Sequence, residues 1–263
     1  YMTNLLIATW NVNSIRARLP IILAWLKEKN PDILLLQELK ARDNDIPKEE
    51  IEDLNYNIIA KGQKSYNGVA ILSKFPVSDI KYTLPNFEED EQARYIEGWI
   101  NIENKGLRVA SIYAPNGNPI TSDKFTYKTT WLEKFFLHAK SLLEYEEKTI
   151  LGGDFNICPS SIDAADENLI VNDAIYQREP RNIYRKIINS GYFDCYRSFH
   201  QSTPGFTYWD YGQAFNNNIG VRIDHFLMSS YAIDTCNNVY VDVSPRSLPK
   251  PSDHTPLCAN IDI

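Results

Sequence analysis

An α/β fold in a single domain spanning residues 1–263 is predicted by two features of this sequence. Short apolar runs alternate with longer stretches of helical periodicity, the pattern of strands and helices packed in layers. No segment has the composition of a linker, and no low-complexity tract or short-period repeat breaks the alternation. With 43% hydrophobic and 12% aromatic residues, the chain has enough apolar side chains to fill a core, which excludes a disordered chain.

In chain order, residues 5–8 predict a buried strand that continues into Thr9-Trp10-Asn11. Ile15, Leu19, Ile22, Leu23 and Leu26 then recur at helical spacing, and Asn30-Pro31 stops that helix. Residues 33–36 are an apolar strand ending in Gln37-Glu38, and residues 69–72, 96–102 and 107–113 predict further strands. Over residues 124–145, Phe125, Trp131, Leu132, Phe135, Phe136 and Leu142 mark an amphipathic helix. Residues 149–151 predict a strand that leads into Gly152-Gly153-Asp154. A basic helix follows near residues 181–189, then strands at 206–209, 223–228 and 256–261. The acidic run 88–91 reads as a solvated loop.

Several function classes drop out. The longest apolar runs fall far short of a membrane span, and no secretory leader opens the chain; Tyr1 ahead of Met2 reads as a residue added in cloning. Cys158, Cys195, Cys236 and Cys258 form no CxxC pair, so buried reduced thiols and a cytoplasmic location are expected. There is no Walker loop and no GxSxG elbow, and no cysteine neighbours a histidine. The net charge of −7 disfavours a polyanionic substrate at first sight, but a local basic patch and a metal-holding acidic cluster are both compatible with it.

The informative residues stand at strand ends. Asn11, Glu38, Tyr113, Asp154 with Asn156, Asp224, and Asp253 with His254 each lie just past or just before an apolar strand. In layered sheets such ends converge on one edge, where loops build the site. Turn chemistry alone would favour Gly, Pro and Ser there. Hard oxygen donors such as Glu38 suit Mg²⁺, which takes only one or two carboxylates. A carboxylate beside His254 would orient its imidazole and stabilise the charged form. Tyr113 and the asparagines could donate hydrogen bonds to a phosphate.

The motifs Thr9-Trp10-Asn11-Val12-Asn13, Leu36-Gln37-Glu38, Tyr113-Ala114-Pro115-Asn116, Gly153-Asp154-Phe155-Asn156, Arg222-Ile223-Asp224 and Ser252-Asp253-His254 occur in this order. The chain thereby resembles the exonuclease III and apurinic/apyrimidinic endonuclease family over residues 5–263. Residues 68–72 and 205–211 favour that branch over the lipid-phosphate branches of the wider group. The resemblance implies a four-layered α/β sandwich, two mixed β-sheets face to face and flanked by helices. It implies a monomeric Mg²⁺-dependent nuclease, with Mn²⁺ as an alternative metal, acting on double-stranded DNA at abasic sites and blocked 3′ ends. Glu38 is then the main metal ligand, with Asn11, Asn13, Asp154, Asn156, Asp253 and His254 around the metal. Asp154 orients or deprotonates the attacking water, Asn156 and Tyr113 contact the phosphate, and Asp224 pairs with His254.

Tyr208 and Trp209 resemble the aromatic wall around a baseless sugar, and strand alternation predicts that one of the two faces the site. Asn116, Lys124 and Arg181 are candidate DNA contacts, as are Arg16, Lys61, Lys64, Lys128 and Arg185 for phosphates. Val221 departs from relatives that carry Trp there, and Gly212 lacks the bulky side chain that some members insert into DNA. Two rival readings stay open: a phosphoesterase of the same fold acting on a phosphoinositide, phospholipid or RNA, and a catalytically silent DNA-binding module.

Overall fold

Twelve strands and six α-helices make up the regular structure in the computed structural model, which describes residues 3–263; the reading of Tyr1 lies outside them. The strands are β1 (Asn4–Asn11), β2 (Ile33–Gln37), β3 (Asn57–Lys61), β4 (Val69–Ser73), β5 (Val77–Lys81), β6 (Tyr95–Ile102), β7 (Lys105–Tyr113), β8 (Thr149–Asp154), β9 (Tyr192–Asp194), β10 (Asp224–Ser229), β11 (Cys236–Val241) and β12 (Leu257–Asp262). The helices are α1 (Leu19–Lys29), α2 (Lys48–Glu52), α3 (Asp123–Leu142), α4 (Arg178–Ser190), α5 (Cys195–Phe199) and α6 (Ser230–Ile233).

The strands form two six-stranded sheets, in the orders β11-β12-β1-β2-β4-β3 and β5-β6-β7-β8-β10-β9. Each sheet is mixed in the same way. One parallel pair stands at the centre, β1–β2 in the first and β7–β8 in the second, with antiparallel partners on both sides. A parallel pair needs a long crossover, and α1 and α3 supply the two.

Alternation along the strands divides the chain into layers. Leu5 and Ile7 of β1, Ile33 and Leu35 of β2 and Val69 and Ile71 of β4 face Ile96, Leu107, Val109, Ile150 and Phe226 of the second sheet, forming the inter-sheet core. The residues between them, Ala8, Trp10, Leu34, Leu36, Ala70 and Leu72, point outward and are covered by Ile22, Trp25 and Leu26 of α1. On the far side Ala110, Ile112, Leu151 and Leu227 are covered by Trp131, Leu132 and Phe135 of α3 and by Ile183 and Ile187 of α4. The order helix, sheet, sheet, helix is the predicted four-layered sandwich.

Two elements differ from the sequence-based expectation. The helix after β1 starts at Leu19, because Asn13 and Ser14 take positive φ values of 45° and 86°, outside the helical region, and residues 15–18 form turns. The strand expected at 206–209 is reduced to isolated bridges from Tyr208 to Val221 and to His254. Gly205, in the left-handed region at φ 73°, turns the chain just before it.

Candidate active site

The C-terminal ends of both central parallel pairs lie at one edge of the sandwich. That edge receives Asn11 from the end of β1, Glu38 from just past β2, Tyr113 from the end of β7 and Asp154 from the end of β8. The antiparallel neighbours begin there: Asp224 opposes Asp154 in the β8–β10 register, and His254 lies just before β12. Sheet topology thus gathers residues that the sequence spreads from position 11 to 254.

Asn11 links the two halves of the cluster. Its side chain is fully buried, and Nδ2 donates to Glu38 Oε2 and to Asp154 Oδ2, both at 2.9 Å. Its Oδ1 accepts the Asn13 backbone N–H at 3.0 Å. Glu38 Oε1 also lies 3.1 Å from the Lys40 ammonium, which donates to Asn13 Oδ1 at 2.6 Å. Asn156 caps the bend after β8: its N–H donates to Asp154 Oδ1, and its Nδ2 donates to the Ala114 carbonyl.

His254 stands between two carboxylates. Its Nδ1 is 2.8 Å from Asp224 Oδ2, which also accepts the Thr207 hydroxyl at 2.6 Å. Its Nε2 is 3.6 Å from Asp154 Oδ2. Burial alone would lower the imidazole pKa, but Asp224 and Asp154 together hold it well above its usual value, which favours the charged form of the ring. Burial, reinforced by the Asp224 charge, pushes Asp154 up to about 7 even though the charge of His254 acts against the rise. A carboxylate of that basicity accepts a proton near neutral pH. Burial also raises the Tyr113 phenol well above its normal pKa, with Glu38 and Asp154 adding to the effect, so it remains a hydrogen-bond donor.

These groups open onto a cleft of about 210 Å³ lined by Glu38, Tyr113, Asn116, Asp154, Asn156, Asp173, Tyr208, Asp253 and His254, with Ile175 and Ile223 as its apolar patch. Four carboxylates line it and no lysine or arginine does. The oxygen-rich, negatively charged lining fits a hard divalent cation. Among the described residues, Asp154, Asp224 and His254 bring one ligand atom each within 4.8 Å of one another. Both imidazole nitrogens there face carboxylates, so the trio reads more simply as a ring hydrogen-bonded to Asp224 through Nδ1, with Nε2 in charge contact with Asp154.

Not every candidate reaches the cleft. Tyr208 does, packing edge-on against the His254 ring at 5.0 Å. Trp209 points the other way, buried among Phe206, Phe215 and the Asn218 side chain that accepts its N–H. Lys128 is not a surface phosphate contact: it is fully buried, donating to the Asn116 and Asn156 carbonyls at 3.1 and 2.6 Å. It joins the loops after β7 and β8. Lys124 is exposed on the rim of an adjoining cleft that also holds Arg94, Tyr66 and Asn116. Arg181 stacks over Tyr176, 4.1 Å from the ring centroid, outside both clefts. Arg16, Lys64 and Arg185 are exposed, and Lys61 is half-buried. The sequence reading missed Lys40, Thr207 and Asp173. Only Lys40, two residues after Glu38, had a positional signal.

The fold agrees with what known proteins show. Residues 8–254 match the endonuclease/exonuclease/phosphatase family, and the chain belongs to it. It is 33% identical to exodeoxyribonuclease III of Haemophilus influenzae, over 95% of this chain and 97% of that protein. Among solved structures, a 3′ phosphatase from Neisseria bound to a product DNA hairpin superposes with a TM-score of 0.94 at 34% identity, covering 98% of this chain and all of that one. An AP endonuclease from Archaeoglobus fulgidus superposes with a TM-score of 0.93 at 35% identity, over 98% of this chain and 100% of that one. The resemblance carried by the six motifs therefore holds over nearly the whole chain. All four cysteines are free and buried, and among the described residues no helix is long and apolar enough to cross a membrane.

Proposed function

We propose that this chain, as one domain, is a Mg²⁺-dependent DNA repair nuclease of the exonuclease III type. It hydrolyses phosphodiesters on the 5′ side of abasic sites and at 3′ ends of duplex DNA. The observation that carries the reading is the cluster behind the cleft in which Asn11 joins Glu38 to Asp154, with His254 between Asp154 and Asp224.

Within that cleft Asp154 takes the proton of the attacking water, and Asn11 fixes the carboxylate's position. Cationic His254, held by Asp224, and the Tyr113 hydroxyl donate to phosphate oxygens as their charge grows. Asn156 supports the same phosphate from the β8 end. In-line attack with departure of the 3′ oxygen leaves a 5′-phosphate and a 3′-hydroxyl. Glu38, with Asp253 in the same cleft lining, would hold Mg²⁺ or Mn²⁺, which would supply positive charge against the phosphate. Tyr208 offers the flat wall for a baseless sugar.

The primary test is cleavage of an abasic-site duplex in Mg²⁺, with and without a chelator. EDTA-sensitive incision is expected; an intact duplex, or incision indifferent to EDTA, overturns the reading. Glu38→Gln removes one ligand charge and should raise the Mg²⁺ concentration for half-maximal activity more than it weakens DNA binding. An unchanged metal titration removes Glu38 as principal ligand. Lys124, exposed beside the cleft, should carry part of the phosphate contact. Lys124→Glu is expected to lower the slope of log affinity against log salt by about 0.9 for duplex DNA while leaving turnover at saturation nearly intact. An unchanged slope sinks that assignment.

A further inference from the structure

Two of the four cysteines touch. Cys195 Sγ and Cys236 Sγ lie 3.6 Å apart, although 41 positions separate them in the chain. Cys195 opens α5 directly after β9, the edge strand of the second sheet, and Cys236 opens β11, the edge strand of the first. Both belong to the inter-sheet core, whereas Cys158 and Cys258 lie in separate clusters. We infer that Cys195 and Cys236 are an oxidisable pair, converted by a peroxide into an intrachain disulfide that staples the edges of the two sheets together.

The geometry needs little rearrangement. A disulfide brings the sulfurs to about 2 Å, so each has to move by less than about 1 Å. Both side chains sit at the end of their element, next to a bulge in the case of β11, where such a shift is least opposed. Cys236 is 8% exposed and Cys195 is fully buried, so an oxidant arriving from solvent meets Cys236 first. The Cys195 thiol can donate to a Cys236 thiolate across the 3.6 Å contact, which favours the outer sulfur as the attacking group.

The chemistry balances with a hydroperoxide as oxidant. The Cys236 thiolate attacks a peroxide oxygen, the O–O bond breaks, and a sulfenic acid forms as hydroxide leaves and is protonated to water. The Cys195 sulfur then attacks that sulfur; the S–S bond forms, the S–O bond breaks, and the Cys195 proton leaves with the second water. Two electrons pass from two thiols to one peroxide. Neither cysteine lines the cleft, so the bridge restricts unfolding without altering the site.

The test treats the folded wild-type chain with hydrogen peroxide, then alkylates it under denaturing conditions and maps its peptides by mass spectrometry. Two thiols should be lost with a mass decrease of about 2 Da, the bridged peptides should contain Cys195 and Cys236, and dithiothreitol should restore both. The thermal midpoint should rise on oxidation, and cleavage rate should stay within twofold. Cys236→Ala should abolish the mass change. Four thiols surviving peroxide at levels that oxidise free cysteine would overturn the inference, as would a bridge mapped to Cys158 or Cys258, or a mass change that persists in Cys236→Ala. Mapping the wild type keeps the result independent of whether the variant folds.

Discussion

Asp154→Asn and His254→Ala are each expected to cut turnover on an abasic duplex by roughly 10²–10⁴-fold with the fold retained. The carboxamide of the first variant matches the carboxylate in shape but cannot take a proton from water. It also turns an acceptor of the Asn11 N–H into a mixed group, so Asn11 can no longer serve Glu38 and residue 154 in the same way. The second variant removes the cation between Asp154 and Asp224 and leaves Asp224 with Thr207 as its remaining hydrogen-bond partner among the side chains. Because both residues act on one transition state, the double variant should lose less than the product of the single losses. Single-turnover rates at saturating DNA and metal, read beside thermal unfolding, decide the matter. Either single variant turning over within tenfold of wild type, with unaltered unfolding, removes that residue from the catalytic set.

Much of this site was legible because its residues sit on buried strands whose ends are sharp in sequence. The runs leading into Asn11, Glu38, Tyr113 and Asp154 belong to β1, β2, β7 and β8, the four central strands, buried on both faces. β3, β5 and β11, which went unread, lie at or near sheet edges, where half-exposed positions blur the alternation. Side-chain direction was the other gap. Lys128 reads as a surface cation in a polar stretch, yet the helix turns it inward to two loop carbonyls. Tyr208 and Trp209 are adjacent aromatics, and only tertiary packing shows which of them meets His254. Asp173 carried no motif because it reaches the cleft from a loop, held by the side chain of Asn118.

Behind the cleft, Arg222→Met is expected to destabilise the fold by about 3–5 kcal/mol at neutral pH, the cost of breaking a buried ion pair on one side. The Arg222 side chain is 1% exposed. Its Nε donates to Asp163 Oδ1 at 2.6 Å, and its two terminal nitrogens grip both oxygens of Asp194 at 2.9 and 2.7 Å. Burial alone would raise both acids, but the Arg222 charge holds Asp194 and Asp163 below the usual aspartate range. Acids depressed in the folded state stabilise it above their unfolded pKa of about 3.9 and lose that contribution as pH falls through the folded value. In the variant the same carboxylates are buried without their main cation and protonate more readily. The stability gap between wild type and variant should therefore be widest above about pH 5 and narrow in acid. Urea unfolding at several pH values measures it, as a shift in midpoint with little change in slope. Arg222 stands two residues before Asp224 and outside the cleft lining, so below the variant's unfolding temperature the cleavage rate should fall less than tenfold. A loss of stability under about 1 kcal/mol, or a gap that widens in acid, would show that the guanidinium is not what compensates these two buried acids.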